Sequence, residues 1–311
     1  MTQEFAYTAV IPTLDRPLRA RAAVEVVLAQ TQLPARIVVV DASRQQFEPD
    51  DKIDAAAGAA GVAVEVVSAP ASTAGQRNRG IELVATPLVL LLDDDVTLDP
   101  DYVEVLVGRW QAAGLEAFGA MVGIPARTPP QGPVARVLRR LFMLHYEAPR
   151  GRATTLRRSR KLRIVPRPIR AVEVQACGAG YGLFRTDLLR RHLFDDRFSG
   201  YAPGEDLEMT SRLAADAPIL QVPDVRYVHE WDPRERIAPH RWHHRGRRET
   251  YFRLKHLDDS VITWAAFYLS LVAETAVAAA ASLRERDVRH VRGYVAGVRE
   301  TLRERRRAHG G

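Results

Sequence analysis

The chain has 311 residues, of which 46% are hydrophobic, and this is enough to bury the core of one large domain or two small ones. Its one cysteine, Cys177, excludes an internal disulfide and a zinc site of paired thiolates, and it favours a reducing compartment. The formal net charge of +7 predicts an acidic partner. Residues 1–7 carry no basic segment that leads into an apolar core, so we expect no secretory signal and a cytoplasmic catalytic part.

Strands and helices are predicted to alternate through the first part of the chain. The pattern predicts strands at 6–11, 36–40, 62–67 and 88–92, separated by helices at 18–30, 50–60 and 75–85. Pro12 and Thr13 are expected to end the first strand. Alternation at this spacing predicts an α/β fold with a doubly wound, mostly parallel sheet flanked by helices. Because neither GxGxxG nor GxxxxGK[ST] occurs, we expect metal or arginine to hold any bound phosphates.

An apolar run at residues 88–92 leads directly into three carboxylates, Asp93, Asp94 and Asp95. Such a run is typical of a strand buried on both faces, and ligands bind at the carboxyl ends of strands in open α/β sheets. Adjacent carboxylates repel one another, and a divalent cation is the simplest group that offsets their charge. An ordinary polar turn at the end of a strand is the structural alternative.

The middle of the chain, residues 127–173, is rich in Pro and Arg and is predicted to leave the sheet, with a short amphipathic piece at 134–145. Between Arg150 and Arg170 there are nine Lys and Arg and no acid. Anionic lipid headgroups or a diphosphate-bearing substrate explain this charge. Nucleic acid is disfavoured because this stretch has no aromatic side chain that would stack on bases, and a solvated basic loop is the remaining alternative.

Two later strands end at residues suited to a site. The strand predicted at 172–177 runs into Gly178-Ala179-Gly180, where glycines permit either close backbone approach to a ligand or a tight turn. A short strand predicted at 225–228 ends at His229, which is either a structural histidine or a ligand of a metal or phosphate.

Glu205 and Asp206 begin a predicted helix, because Leu207, Met209 and Leu213 then recur at helical spacing. The helix dipole at this end holds a carboxylate ionised, as a general base requires. A routine acidic helix start is the alternative reading.

The last part of the chain is predicted to be helical. Residues 241–256 are strongly basic with interleaved aromatic side chains, which resembles a helix lying on a membrane surface. Residues 261–283 have the length of a membrane span, but the small residues of 273–281 weaken insertion, so we favour an amphipathic or packed helix. A final charged helix is predicted at 284–307, followed by a disordered end at 309–311.

Taken in order, the motifs resemble the family 2 inverting glycosyltransferases, which have the GT-A fold. The resemblance covers about residues 8–231 and implies a GT-A domain at 1–232, with the basic insert at about 127–171 inside it. The basic and apolar helices beyond it predict a helical, membrane-associated extension at 233–311. The segments that carry the resemblance are Val10-Ile11-Pro12-Thr13-Leu14-Asp15-Arg16, Val38-Val39-Val40-Asp41-Ala42-Ser43, Gly75-Gln76-Arg77-Asn78-Arg79-Gly80, Asp93-Asp94-Asp95, residues 178–185, Gly204-Glu205-Asp206 and residues 223–229.

The resemblance implies a role for individual residues. It implies that the nucleotide sugar is bound by Pro12, Thr13, Asp15, Arg16, Asp41, Gln76, Arg77, Asn78, Asp93, Asp94, Gly178, Ala179 and Gly180. By the same resemblance, Mg²⁺ or Mn²⁺ is held by Asp95, Asp93 and His229. Asp206, beside Glu205, takes the proton from an acceptor hydroxyl that attacks the anomeric carbon, in a one-step displacement with inversion.

The sequence therefore predicts a metal-dependent hexosyltransferase that acts on a nucleotide-diphosphate sugar. We expect its acceptor to be a cell envelope glycan or a polyprenyl-linked sugar, and the enzyme to be peripheral on the inner face of the plasma membrane. A sugar nucleotidyltransferase is one alternative, although residues 12–19 lack its glycine-rich loop. A non-catalytic scaffold that binds nucleotide sugar or lipid is another, although a scaffold needs no base such as Asp206. A nucleic-acid-binding protein would show steeply salt-dependent binding.

Overall fold

The structure is a computed structural model that describes residues 3–127, 132–147, 155–156, 161–165, 168–197, 204–230, 239–258 and 260–309. More than half of the basic stretch 150–170, the turn at 198–203 and residues 310–311 lie outside the described residues. The end predicted to be disordered begins at His309, and this prediction is wrong for His309, which is the last residue of a helix. The chain divides into two compact units. The first comprises Met1–Thr128, Pro166–Gly200 and Asp206–Glu230, and the second comprises Pro129–Val165, Tyr201–Glu205 and Trp231–Gly311.

The first unit contains most of the regular elements. Its strands are β1 (Tyr7–Thr13), β2 (Arg36–Asp41), β3 (Ala63–Ser68), β4 (Leu88–Leu92), β5 (Val96–Leu98), β6 (Ala120–Pro125), β10 (Val172–Val174), β11 (Tyr181–Arg185) and β12 (Ile219–His229). Its helices are α1 (Pro17–Leu28), α2 (Asp51–Ala60), α3 (Thr73–Leu83), α4 (Tyr102–Ala113), α6 (Thr186–Arg191) and α7 (Glu205–Asp216), the last of which starts one residue before the unit boundary.

The strands of the first unit form one nine-stranded sheet in the order β10-β12-β6-β11-β4-β1-β2-β3, with β5 paired to β12. Strands β3, β2, β1 and β4 are parallel, β11 is antiparallel to both β4 and β6, and β12 is parallel to β6. Six of the nine strands therefore run in one direction. The predicted fold class, a mostly parallel α/β sheet with helices, is confirmed.

Strand β4 lies at the centre of this sheet. All five residues of Leu88–Leu92 are buried, with β1 parallel on one side and β11 antiparallel on the other. A continuous apolar run is what a strand covered on both faces requires, because both sets of alternating side chains must leave water. The predicted bounds of this strand are confirmed.

Two strands differ from their predicted bounds at a proline. Strand β1 continues through Pro12 and Thr13, which pair with Val40 and Asp41 of β2. The strand tolerates Pro12 because a proline removes only one backbone N–H donor from the hydrogen bonds between the strands. Strand β12 begins at Ile219, earlier than predicted, and its pairing with β6 shifts register between Gln221 and Arg226. This irregularity accommodates Pro223 inside the strand. Strand β10, in contrast, ends at Val174, before the predicted Cys177.

The second unit is mainly helical. It contains α5 (Pro133–Leu141), α8 (Pro239–Lys255), α9 (Val261–Glu285), α10 (Arg289–His309) and a small sheet of β7 (Tyr146–Glu147), β9 (Leu162–Ile164) and β8 (Thr155–Leu156). Helix α9 is long and apolar enough to cross a membrane by length and composition. Helix α10 starts later than predicted, because Arg286 adopts a left-handed conformation (φ 53°) that ends α9.

A buried ionic cluster lies inside the second unit. Nζ of Lys161 contacts Glu249 and lies 3.2 Å from Oε1 of Glu274, and the Arg245 guanidinium donates to both carboxylates at 3.0 Å. Burial opposes the ionisation of Glu249, but the charges of Lys161 and Arg245 outweigh it and hold the Glu249 pKa well below its ordinary value. The acid in the middle of α9 is therefore neutralised by ion pairs within its own unit.

We predict opposite effects from the same substitution at two helical glycines of the first unit. A methyl group at Gly80 of α3 would overlap the Val10 side chain of β1, whereas one at Gly58 of α2 would meet nothing within 4 Å. Gly80→Ala should therefore lower the free energy of unfolding by about 1–3 kcal/mol through overpacking. Gly58→Ala should raise it by about 0.5–1 kcal/mol through helix propensity. Urea denaturation measures both, and equal effects would contradict the close approach of α3 to β1.

Candidate active site

The three acids that follow β4 lie beside the glycine-containing turn that precedes β11. The Asp93 N–H donates to the Gly180 carbonyl at 2.9 Å, and a Cβ at Gly180 would overlap the Asp93 carboxylate. A Cβ at Gly178 would similarly overlap the Tyr181 ring, while the Ala179 carbonyl accepts from the Tyr181 N–H at 2.8 Å. The turn at 178–180 therefore needs its glycines to bring backbone against the acid-bearing loop.

Arg77 of α3 contacts one of the acids that follow β4 and also Asp206, near the start of α7. Its Nη2 donates to Oδ1 of Asp93 at 2.6 Å, and its Nη1 lies 3.9 Å from Oδ1 of Asp206. The Arg77 side chain is only 2% exposed, and its guanidinium lies over the Phe194 ring, 5.1 Å from the ring centroid. Asp93 and Asp206, far apart in the sequence, therefore share one buried cation, as the prediction of a single site requires.

Asp95 is paired with His229 at the end of β12. The pairing of β12 with β5 brings His229 opposite Val96, and His229 Nε2 lies 3.0 Å from Oδ1 of Asp95. Burial works against ionisation of Asp95, but its hydrogen bond with His229 and the charge of Arg19 hold its pKa below the ordinary value. Burial likewise works against protonation of His229, and the Asp95 contact outweighs it and raises the His229 pKa.

Asp94 faces the turn after β1. The Thr13 hydroxyl donates to its Oδ2 at 2.8 Å, and Arg16 Nη1 donates to its Oδ1 at 3.4 Å. Burial raises the pKa of Asp94 to about 6, although the hydrogen bond from Thr13 and the charge of Arg16 act in the opposite direction. The structure thus brings Thr13 and Arg16, two predicted site residues, to the acids.

Other predicted nucleotide-binding residues hold the ends of β1 and β2. The Asp41 carboxylate accepts from the N–H groups of Ser43 at 2.8 Å and Phe47 at 2.6 Å. The side-chain amide of Gln76 donates to the carbonyls of Thr13 at 2.7 Å and Val40 at 2.8 Å. These bonds order the turns next to the site, and contact of Asp41 and Gln76 with a nucleotide stays a prediction.

Asp15 and Pro12 are placed by backbone geometry. Asp15 has a left-handed conformation (φ 52°), which an aspartate tolerates better than most residues, and its N–H donates to the Ser43 hydroxyl at 2.6 Å. Pro12 lies inside β1. Their contact with a nucleotide also stays a prediction.

Asn78 contacts the segment that follows α6. Its Nδ2 donates to the Phe194 carbonyl at 2.9 Å, and its Oδ1 accepts from the Phe194 N–H at 2.9 Å. Phe194 in turn lies under Arg77. Asn78 therefore supports the guanidinium between the acids through Phe194, and its binding of a nucleotide stays a prediction.

The two acids that begin α7 have different surroundings. Glu205 is 7% exposed and follows Gly204, whose φ of +107° suits glycine and would strain other residues. The Asp206 side chain is 27% exposed, and the helix is secured by the Thr210 hydroxyl, which donates to the Asp206 carbonyl at 2.6 Å. Asp206 is thus the more accessible of the two carboxylates.

Arg19 was not among the predicted site residues. Its Nη1 lies 3.4 Å from Oδ2 of Asp95, so both oxygens of this carboxylate have a cationic or imidazole neighbour. The signal that would have found it is its spacing from Arg16: residues three apart near the start of α1 share one face of the helix.

A sequence-family comparison decides the assignment. The family model of glycosyl transferase family 2 matches residues 8–191, more than half of the 311-residue chain. The chain belongs to glycosyl transferase family 2. The match includes Asp93, Asp94, Asp95 and Arg77, and it confirms the resemblance that the sequence motifs indicate. No curated protein sequence gives a significant match to the chain.

Solved structures of GT-A glycosyltransferases are similar to this family 2 chain. GalNAc-T7, crystallised with UDP, GalNAc and Mn²⁺, is 16% identical with a TM-score of 0.54 over 73% of this chain, and the match spans 43% of the GalNAc-T7 chain. Residues 1–349 of S. aureus TarS are 14% identical with a TM-score of 0.52, over 86% of this chain and 70% of that chain. The same TarS fragment with UDP-GlcNAc has a TM-score of 0.51 at 14% identity, over 86% of this chain and 71% of that chain. These matches confirm the GT-A fold.

We predict that Asn78 is needed to hold Phe194 in place. Asn78→Ala leaves the buried N–H and carbonyl of Phe194 without the two side-chain bonds, which should lower the free energy of unfolding by about 2–4 kcal/mol. The neighbouring Arg79→Ala removes only an exposed pair with Glu82 and should change stability by less than about 0.5 kcal/mol. Chemical denaturation distinguishes the two variants, and similar stabilities would refute the structural role of Asn78.

Proposed function

We propose that the chain is a metal-dependent inverting hexosyltransferase that moves a sugar from a nucleotide-diphosphate donor to a hydroxyl of a glycan or lipid-linked acceptor. The observation that supports this most directly is the contact of Arg77 with both Asp93 and Asp206. Because both carboxylates contact the same guanidinium, Asp93 on the donor side and Asp206, the candidate base, belong to one site. The crystals of GalNAc-T7 with UDP and of TarS with UDP-GlcNAc make UDP-sugars the first donors to test.

The donor set around Asp95 fits a divalent cation. Among the described residues no group of three or more His, Cys, Asp or Glu side chains is arranged as a metal site, but Asp95 and His229 are already in contact. Mg²⁺ and Mn²⁺ in nucleotide-dependent enzymes are held by one or two protein ligands, with waters and substrate phosphates completing the shell. We propose Asp95 and His229 as ligands, with Asp93 contributing directly or through water. When bound, the cation offsets the charge of the departing diphosphate.

The protein groups supply the remaining chemistry. Asp206, at the N-terminal end of α7, accepts the proton of the acceptor hydroxyl as its oxygen bonds to the anomeric carbon. The bond from that carbon to the donor diphosphate breaks on the opposite face, so the configuration inverts. Arg77 orients the Asp206 and Asp93 carboxylates from a buried position, and the glycine turn at 178–180 packs its backbone against Asp93 and fixes the other side of that carboxylate.

We propose a peripheral location on the inner face of the plasma membrane. The basic helix α8 and the apolar helix α9 motivate this location, and a membrane-bound acceptor such as a polyprenyl-linked sugar or a growing cell envelope glycan would explain it. An enzyme that acts on such an acceptor gains rate from being held at the surface where the acceptor lies.

We predict that Asp206→Asn lowers turnover by about two to four powers of ten while nucleotide-sugar binding persists, because the amide keeps the shape but cannot accept the proton. The control is Asp216→Asn at the other end of α7, whose carboxylate is 46% exposed and lies 2.7 Å from Nε2 of His192. Donor turnover is measured with whichever of UDP-, dTDP- and GDP-sugars is consumed in the presence of Mn²⁺. Near wild-type turnover by Asp206→Asn would refute its role as base.

We predict that Asp95→Ala abolishes the Mn²⁺-dependent part of nucleotide binding, because the variant loses the carboxylate that pairs with His229. Asp101→Ala is the matched control, since Asp101 is an exposed acid before α4 that makes no side-chain capping bond. Isothermal titration calorimetry of UDP with and without Mn²⁺ checks both. Unchanged metal-dependent binding by Asp95→Ala would count against the proposed ligand set.

A further inference from the structure

The outward face of α9 is apolar from Val261 to Leu283, and the exposed Arg284 follows it. The exposed apolar side chains recur mostly every three or four residues, and they are Val261, Ile262, Ala265, Tyr268, Leu269, Val272, Ala276, Ala280 and Leu283. Val261 is 83% exposed, Val272 is 68% exposed and Leu283 is 81% exposed. A continuous apolar stripe of this length is unusual on a protein surface facing water and marks an interaction site.

The inward face of α9 carries the polar groups of the helix. Thr263, Ser270, Glu274 and Ser282 are buried, Glu274 is ion-paired with Lys161 and Arg245, and Ser270 contacts Arg253. The same buried face also includes apolar residues, and Phe267 and Leu271 pack with Leu254 in a hydrophobic core cluster of this unit. An amphipathic surface helix has a polar outward side, whereas α9 is apolar toward solvent as well as toward its own unit.

Helix α5, in the same unit, shows the same pattern on a smaller scale. Val134, Val137, Leu138 and Leu141 are all exposed and follow the spacing i, i+3, i+4, i+7 of one helix face. The remaining side chains of this helix include three arginines, at positions 136, 139 and 140, and no acid. An apolar stripe accompanied by arginines is the pattern of a helix that lies in a membrane interface.

Charge is divided unevenly between the two units. The second unit contains 27 Lys and Arg against 12 Asp and Glu, a formal charge of +15, and the first contains 18 against 26, a charge of −8. The unit that exposes the apolar faces is thus the strongly cationic one. An anionic surface attracts such a unit over the Debye length, with a contribution of about 1 kcal/mol for each basic residue near the lipid.

We propose that the apolar outward face of α9, together with that of α5, binds to the interface of an anionic lipid bilayer. Two copies of the chain would have to bring two units of charge +15 together, and this repulsion disfavours a dimer through the same face. Nucleic acid would complement the positive charge of this unit, but it would offer no apolar surface to cover the aliphatic stripe. The ion pairs of Glu274 keep the middle of α9 on its own unit, so the helix lies along the membrane and does not cross it.

This inference rests on the proposed membrane location and not on the proposed reaction. Vesicle binding needs neither a sugar donor nor a metal ion, so a chain that does not bind vesicles could still transfer sugar. Likewise, a chain that does not transfer sugar could still bind vesicles through this face.

The test is sedimentation of the full chain with vesicles of phosphatidylcholine and phosphatidylglycerol, compared with vesicles of phosphatidylcholine alone. We expect the wild type to bind the anionic vesicles, and Leu269→Asp with Val272→Asp to weaken partitioning by at least about ten-fold. Both residues are exposed, so folding should persist, and circular dichroism checks this. The control double variant, Leu18→Asp with Ala56→Asp, changes charge equally at exposed positions of the first unit and should bind like the wild type.

Three outcomes would overturn the proposal. The first is an absence of wild-type binding to anionic vesicles. The second is equal binding by the Leu269→Asp/Val272→Asp variant, which would indicate a purely electrostatic patch. The third is a wild-type dimer in sedimentation velocity, or salt-dependent binding to polyuridylate, that this variant abolishes while vesicle binding is unaffected.

Discussion

The site of this family 2 glycosyltransferase depends on one buried guanidinium. Arg77 contacts Asp93 after β4 and Asp206 at the start of α7, and it lies over Phe194 with almost no exposure to water. Two carboxylates held this near one another without a cation would repel, and the loop and the helix that carry them would separate. Arg77 is itself fixed by α3, whose neighbouring residues Gln76 and Asn78 are bonded to backbone on either side.

The sheet explains why these groups meet. Central strand β4 is apolar over its full length and ends where three acids begin, so burial alone fixes where those acids emerge. Strand β12 then delivers His229 to Asp95, and the turn before β11 packs glycine against Asp93. Ligand sites at the carboxyl ends of strands follow from this geometry, because only there do loops from several strands converge.

The sequence was sufficient for the parts that follow from local pattern. The alternation of strand and helix, the bounds of β4 and the position of Asp206 at a helix start are all local properties. The parts that depend on partners distant in the chain were not predictable. They are the register shift that admits Pro223 into β12, and the identity of Asp95 as the partner of Arg19, whose spacing from Arg16 indicates only that the two arginines share a side of the helix start. The burial of Glu274 in α9 was not predictable for the same reason, because this acid is buried where Lys161 and Arg245 pair with it.

The central claim is that the acids after β4 and the acid of α7 serve one reaction centre. Diffraction from crystals containing Mn²⁺ and an unreactive UDP-sugar analogue, with data collected at an energy that gives anomalous signal from manganese, tests it most directly. We expect a single manganese peak bonded to Asp95 and His229, with the anomeric carbon of the analogue facing the Asp206 carboxylate. A manganese ion and diphosphate bound elsewhere, or a sugar whose anomeric carbon lies away from Asp206, would contradict it.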